Sequence, residues 1–181
     1  MKTRDVVIFS GKRFKVPQGI QRIDHRATHG WQLRYGGTKL FSDGTSDGSG
    51  AAASLKAATD ELLKRIAKLP APSRLQRAPS ENKTTDLPVG ISGPIVRKRP
   101  GAKVHECNLS VSLPRYGQQP RRSTIYIGNE NTYTVQRFEE ALSRAIKMRQ
   151  DAETAYRRDA TRAKRAEAQK LIDKRGGRRA A

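Results

Sequence analysis

The stretch HGWQLRYGGTKLFSD, from His29 to Asp43, reads as two short strands folded about the turn Gly36-Gly37. Successive side chains of a strand point to opposite faces, so Trp31, Leu33 and Tyr35 share one face and Gln32 and Arg34 the other. An apolar face of that kind needs a cover, and the sequence supplies one. After the turn-rich loop DGTSDGSG, the run AAASLKAATDELLKRIAKL sets Leu55, Ala58, Leu62, Ile66 and Leu69 at helical spacing, and Pro70 stops it. Upstream, Gly19-Ile20 opens a further strand. Residues 17–69 therefore predict a three-stranded antiparallel sheet packed on one helix. Leu33 and Phe41 meet that helix, while Arg22 and Lys39 join Gln32 and Arg34 on the opposite side.

The same order returns beyond PAPSRLQRAPSENKTTD, whose proline, serine and polar residues lack periodicity and predict a linker over 70–87. Pro88 to Ile91 mirrors Pro17 to Ile20, Val104 to Leu113 and Ser123 to Gly128 read as strands, and a helix starts near Thr134. Val135, Phe138, Leu142 and Ile146 stand 80 positions after Leu55, Ala58, Leu62 and Ile66, which makes residues 88–150 a divergent second module with Cys107 in the place of Trp31. Residues 1–16 predict a hairpin or arm. Residues 151–181 predict a basic helical tail, alanine-rich on its apolar side, that projects into solvent, settles on a partner or offers a homodimer surface. The fold class expected is α+β: two tandem sheet-and-helix modules followed by a long basic helix.

Lys and Arg number 37 against 17 Asp and Glu, a formal net charge of +20, and such an excess points to polyanionic partners. A membrane surface would require bulky apolar residues opposite the basic ones, and the tail offers alanine, so no membrane partner is expected. No run approaches membrane-spanning length, and MKTRDVVIFSGKRF lacks the small-residue cleavage site of a signal peptide, which predicts a cytoplasmic, nucleoid-associated protein. The single cysteine, Cys107, alternates with Leu109, Val111 and Leu113 and reads as packing. His25, His29 and His105 have no ligand spacing, and neither a carboxylate cluster nor a phosphate-cradling loop is present. Neither catalytic residues, a metal nor a cofactor is expected.

A sheet ribbon fits the B-DNA major groove, where Arg bonds a guanine edge and Gln an adenine edge. The competing reading is that antiparallel sheets commonly keep a solvated face that binds nothing. The second module presents a neutral outer face of Glu106, Asn108, Ser110 and Ser112, and carries its charge in connections instead. Phosphate contacts are accordingly assigned to Arg26, to Arg97, Lys98, Arg99 and Lys103, to Arg115, Arg121 and Arg122, and on the tail to Arg157, Arg158, Arg162, Lys164 and Arg165.

Gly19-Ile20 with Arg22-Ile23, Gly30-Trp31, Phe41-Ser42-Asp43 and a glycine-containing loop before Leu55, Ala57 and Ala58 resemble the DNA-binding domain of the plant APETALA and ethylene-response factors, above all its bacterial and phage relatives. The resemblance covers about Gly19 to Ile66 and implies a sheet entering the major groove, with Arg22, Trp31, Gln32, Arg34 and Lys39 touching DNA. Strand parity places Trp31 on the helix side, so a core or rim position competes with the DNA edge for it. The expected function is non-enzymatic binding of double-stranded DNA, as a transcriptional regulator or architectural factor. An RNA-binding or ribosome-associated role is the alternative, disfavoured because the outer faces offer mainly Tyr126 for stacking. An accessory role in a recombinase or homing-endonuclease system ranks below both.

Overall fold

The computed structural model describes the backbone of residues 1–177 and the side chains of residues 1–173; the last four positions of the expected tail, 178–181, lie outside the described residues. The fold is α+β, with three antiparallel sheets and two helices. In chain order these are β1 (Thr3–Val7), β2 (Arg13–Pro17), β3 (Ile20–His25), β4 (Thr28–Arg34), β5 (Thr38–Ser42), α1 (Ala51–Lys68), β6 (Ile91–Arg97), β7 (Glu106–Arg115), β8 (Gln118–Asn129) and α2 (Val135–Gly177). Two compact units divide the chain: one takes Met1–Pro72 and the residues from Thr161 onward, the other Ser73–Ala160.

In the first unit β3, β4 and β5 form a meander, and α1 covers the face that carries Ile20, Trp31, Leu33 and Tyr35. Trp31 and Leu33 are wholly buried, as are Ala58 and Leu62 of the helix. Trp31 also fastens the start of α1, donating its indole N–H to the Ala51 carbonyl at 2.8 Å. No side chain caps α1 at Gly50, where a Cβ would come within 1.9 Å of the Asp43 carbonyl oxygen, so glycine is required by the close approach of Asp43, the residue after β5. The helix ends where Leu69 turns extended ahead of Pro70, which disfavours helical geometry in the residue before it.

The N-terminal segment is a hairpin: β1 pairs with β2, and Gly11, at φ 80°, makes the turn. Alternation sends Val6, Phe14 and Val16 into the first unit's core, with the Phe14 ring edge-on to Trp31 at 5.7 Å. The tail contributes to the same core. Ala168 is buried there, Arg165 Nε donates to the Ile66 carbonyl at 3.4 Å, and the Thr161 hydroxyl accepts from the Ala71 N–H at 3.0 Å. From Thr161 the predicted tail is thus an integral part of the first unit, because a small alanine lets a helix approach closely even though it buries little area.

In the second unit β6, β7 and β8 form another meander, whose Ile91, Cys107, Leu109, Val111, Ile125 and Ile127 are buried with α2. The deepest α2 positions are Ala141 and Ala145, with Phe138, Leu142 and Ile146 half-buried beside them. Val135, expected in the core as the counterpart of Leu55, is 67 % exposed. The helix seats its small residues against the sheet, and the bulky ones flank that line. Of the predicted linker, Leu87 is drawn into this core, while residues 70–86 have no regular structure.

Candidate nucleic-acid interface

Cross-strand pairing fixes which side chains lie on the face that α1 leaves open. Because Trp31 pairs with Phe41 and Leu33 with Lys39, the turn after β4 is the three-residue loop Tyr35-Gly36-Gly37. A loop of Gly36-Gly37 alone would have shifted the register by one and turned every β5 side chain to the other face. Lys39 consequently lies on the helix side, with its ammonium 5.1 Å from the centre of the Phe41 ring. Its assignment to the open face is corrected, and Leu40, paired with Gln32, takes that place at 43 % exposure.

Arg22 is corrected in the same way. It pairs with Trp31 and stacks on the indole at 4.9 Å, which puts it on the covered side. There its guanidinium grips Asp43 through two bonds of 3.0 and 2.6 Å, and Ser54 of α1 donates its hydroxyl to the same carboxylate at 2.6 Å. Arg22 also reaches Asp24 at 2.8 Å, and Asp24 contacts His29 Nδ1 at 3.0 Å. Burial alone would lower the Arg22 pKa, but the hydrogen bonds it donates to Asp43 and Asp24 outweigh burial and hold it above the ordinary guanidinium value. Arg22 ties sheet to helix. Trp31, assigned to DNA by the resemblance, is likewise a core residue and has no free surface for a base.

What remains on the open face is Gln21, Ile23 and His25 of β3, Thr28, Gln32 and Arg34 of β4, and Thr38, Leu40 and Ser42 of β5. Gln32 and Arg34 are on this side as expected. Arg34 donates from Nε to Gln32 Oε1 at 2.5 Å, which leaves its two terminal nitrogens for a planar acceptor. Gln21, Ile23 and Leu40 were missed, although alternation with Phe41, already set on the helix side, was the signal for Leu40. Arg26, in the β3–β4 turn with φ 48°, is exposed beside this sheet.

The second sheet repeats the design with other chemistry. Arg34 N–H donates to the Gly19 carbonyl at 2.8 Å, and Ser112 N–H to the Gly90 carbonyl at 2.7 Å, so Ser112 stands where Arg34 stands. By the same pairing Val111 matches Leu33 and Leu109 matches Trp31, which moves the counterpart of Trp31 from Cys107 to Leu109. Each helix also clamps the end of its middle strand with an arginine. Arg65 donates to the carbonyls of Tyr35 and Gly37 at 3.0 and 2.8 Å, and Arg149 donates to that of Ser112.

The open face of the second sheet carries Asn108, Ser110 and Ser112, with Thr124, Arg122 and the half-exposed Tyr126 from β8. It was expected to be neutral; pairing places Arg122 opposite Ser112 and Arg97 opposite Glu106, so both arginines belong to this face.

The assigned phosphate contacts divide by their partners. Arg99 pairs with Glu106, Arg157 with Glu153, Arg158 with Asp159 and Lys164 with Glu167. Arg115 donates to the Gln119 carbonyl, and Arg165 is engaged at Ile66 as described. Among the described residues Arg26, Arg97, Lys98, Lys103, Arg121, Arg122 and Arg162 are exposed and form no ion pair, which makes them the available cations of the set.

Among the described residues no group of three or more His, Cys, Asp or Glu side chains could hold a metal, and no helix is long and apolar enough to cross a membrane. Comparison with known proteins finds no matching family model, no matching curated protein and no matching solved structure.

Proposed function

We propose that the protein binds double-stranded DNA without catalysing a reaction, as a regulator or an architectural, nucleoid-associated factor that docks the open face of its first sheet in the major groove. The observation that carries this reading is the Arg34–Gln32 pair, set on an uncovered face in a chain of net charge +20. Arg34 keeps two terminal nitrogens for the O6 and N7 of a guanine, and the amide of Gln32 can still address an adenine. Leu40 and Ile23 beside them are suited to thymine methyl groups. The resemblance of Gly19 to Ile66 to the APETALA type agrees in presenting a sheet to DNA, but of its five contacts only Gln32 and Arg34 keep an open-face position.

Arg26 and the exposed cations of the second unit add sequence-independent phosphate contacts, and the linked units raise one another's effective concentration. The test is a salt titration with selected and random duplexes. Each phosphate neutralised contributes about 0.9 to the log–log slope. A steep slope, with a sharp motif from a random pool, is the expected result; a flat titration overturns the reading.

One observation favours a second reading for the second unit alone. Tyr126 is 47 % exposed opposite Asn108, on a face shared with Ser110, Ser112, Thr124 and the arginines Arg97 and Arg122. An exposed aromatic beside an amide is a platform for an unpaired base, so single-stranded nucleic acid, RNA included, is the competitor to test against duplex DNA.

A further inference from the structure

Between the start of β1 and the edge strand β3 lies a cleft of about 350 Å³, at the end of β4 where Arg34 emerges. Its lining includes Lys2, Arg4 and Arg34, the amide side chains of Gln18 and Gln21, and Gly19 at φ 103°, and no carboxylate. Among the described residues none of the three cations forms an ion pair, although the chain has carboxylates enough to pair Arg22, Arg65 and Arg149.

The walls are held in place. Gln18 N–H donates to the Lys2 carbonyl at 3.0 Å, and Arg4 Nη2 donates to the Ile20 carbonyl at 3.3 Å, so β1 is fixed beside β3 by main-chain acceptors and the positive charge stays uncompensated. The cleft opens beside the Gln21 and Arg34 side of the reading face. Arginine offers planar paired donors suited to a phosphate, and lysine a mobile point charge.

We infer that this cleft is a seat for a DNA backbone phosphate, next to the base pair that Arg34 and Gln32 address. The N-terminal hairpin then contributes to binding directly as well as to the core. The inference rests on the proposed function, from which it predicts a separate quantity. A phosphate contact carries no sequence information, so its loss weakens every duplex equally.

The experiment compares the full chain with Lys2→Gln/Arg4→Gln and with Arg4→Lys. The double substitution is expected to lower the salt slope by about 0.9 for one phosphate, with selected and random duplexes weakened by the same factor. Arg4→Lys is expected to keep the slope, which separates charge from the structural bond to Ile20. A methylphosphonate at the matching backbone position should weaken the parent protein and leave the double variant unaffected. If the parent binds duplex and the double variant keeps its slope, the phosphate seat is overturned. If the parent binds no duplex, the proposed function fails instead. The seat is then judged with inorganic phosphate, whose titration must shift the amide resonances of Gly19 and Gln21 in the parent and not in the double variant; absence of that shift overturns it.

Discussion

Arg22 and Asp43 hold each other across the junction of sheet and helix, with Nη2 2.6 Å from Oδ2 and side chains 6 % and 0 % exposed. Removing one partner leaves the other charged in a buried site, which typically costs about 3–5 kcal/mol. Arg22→Met should therefore lower the urea midpoint steeply. Because Arg22 faces α1, duplex affinity measured at low temperature, where the variant is still folded, should stay within about twofold of the parent, inside the ~0.5 kcal/mol that separated sites leave uncoupled. A selective loss of sequence preference would return Arg22 to the reading face.

Arg34→Ala and Gln32→Ala make the converse pattern. Both side chains lie on the uncovered face, so unfolding free energies should move by no more than about 0.5 kcal/mol. Competition between selected and random duplexes should show a loss of roughly 1–3 kcal/mol in discrimination for each. Arg162→Ala, on the exposed side of α2, should weaken both duplexes alike.

Trp31 is the only tryptophan and is wholly buried, so its fluorescence reports on the core. Emission should be blue-shifted and inaccessible to iodide, and should remain so when duplex is added. Trp31→Ala should destabilise by roughly 3–5 kcal/mol, the usual cost of emptying an aromatic site.

The difference between what the sequence disclosed and what it hid lies in parity. Within β4 the alternation of Trp31, Gln32, Leu33 and Arg34 was legible, as was the helix over Leu55 to Ile66 with its proline stop. Arg22 was misplaced because the face of β3 follows from its pairing with β4, which the residue pattern of β3 alone does not fix. Lys39 was placed against the alternation of its own strand: it stands two residues before Phe41, which the pattern already set on the helix side, so Lys39 shares that side and Leu40 takes the other. In α2 the bulky residues masked the role of Ala141 and Ala145, since hydrophobic size and depth of burial do not coincide when a helix packs closely.

Acid should weaken the first unit through Asp24, with the exposed Asp47 adding less. Burial raises the Asp24 carboxyl, but its hydrogen bonds with Arg22 and His29 lower it further, so it titrates below its ordinary value. Asp47 is pulled down to about 2 by hydrogen bonds from the Ser49 N–H and hydroxyl and from Thr45. A carboxylate whose folded pKa is depressed stabilises the fold fully above its unfolded pKa, and loses that contribution as pH falls through the folded value. These two groups should leave stability flat between about pH 5 and 8 and reduce it below about pH 4. In urea midpoints across that range, Asp24→Asn should give a shallower acid limb; an unchanged limb would show that Asp24 contributes no linkage.

Ala168 and Ala166 test the role of the final helical segment. Ala168 is 6 % exposed in the first unit's core, whereas Ala166 faces solvent. Ala168→Leu should destabilise by about 1–3 kcal/mol through overpacking, and Ala166→Leu should be close to neutral. Equal, small effects in thermal melts would mean that the segment does not pack where it is placed.

The division of the chain has a consequence for how the protein is born. A ribosome delivers all of residues 73–160 before Ala168 exists, so the second unit has its complete set of residues first, while the first, begun earlier, waits for its closing helix. Vectorial synthesis then inverts the order of completion, and the sheet that carries Arg34 and Gln32 is the last to be sealed.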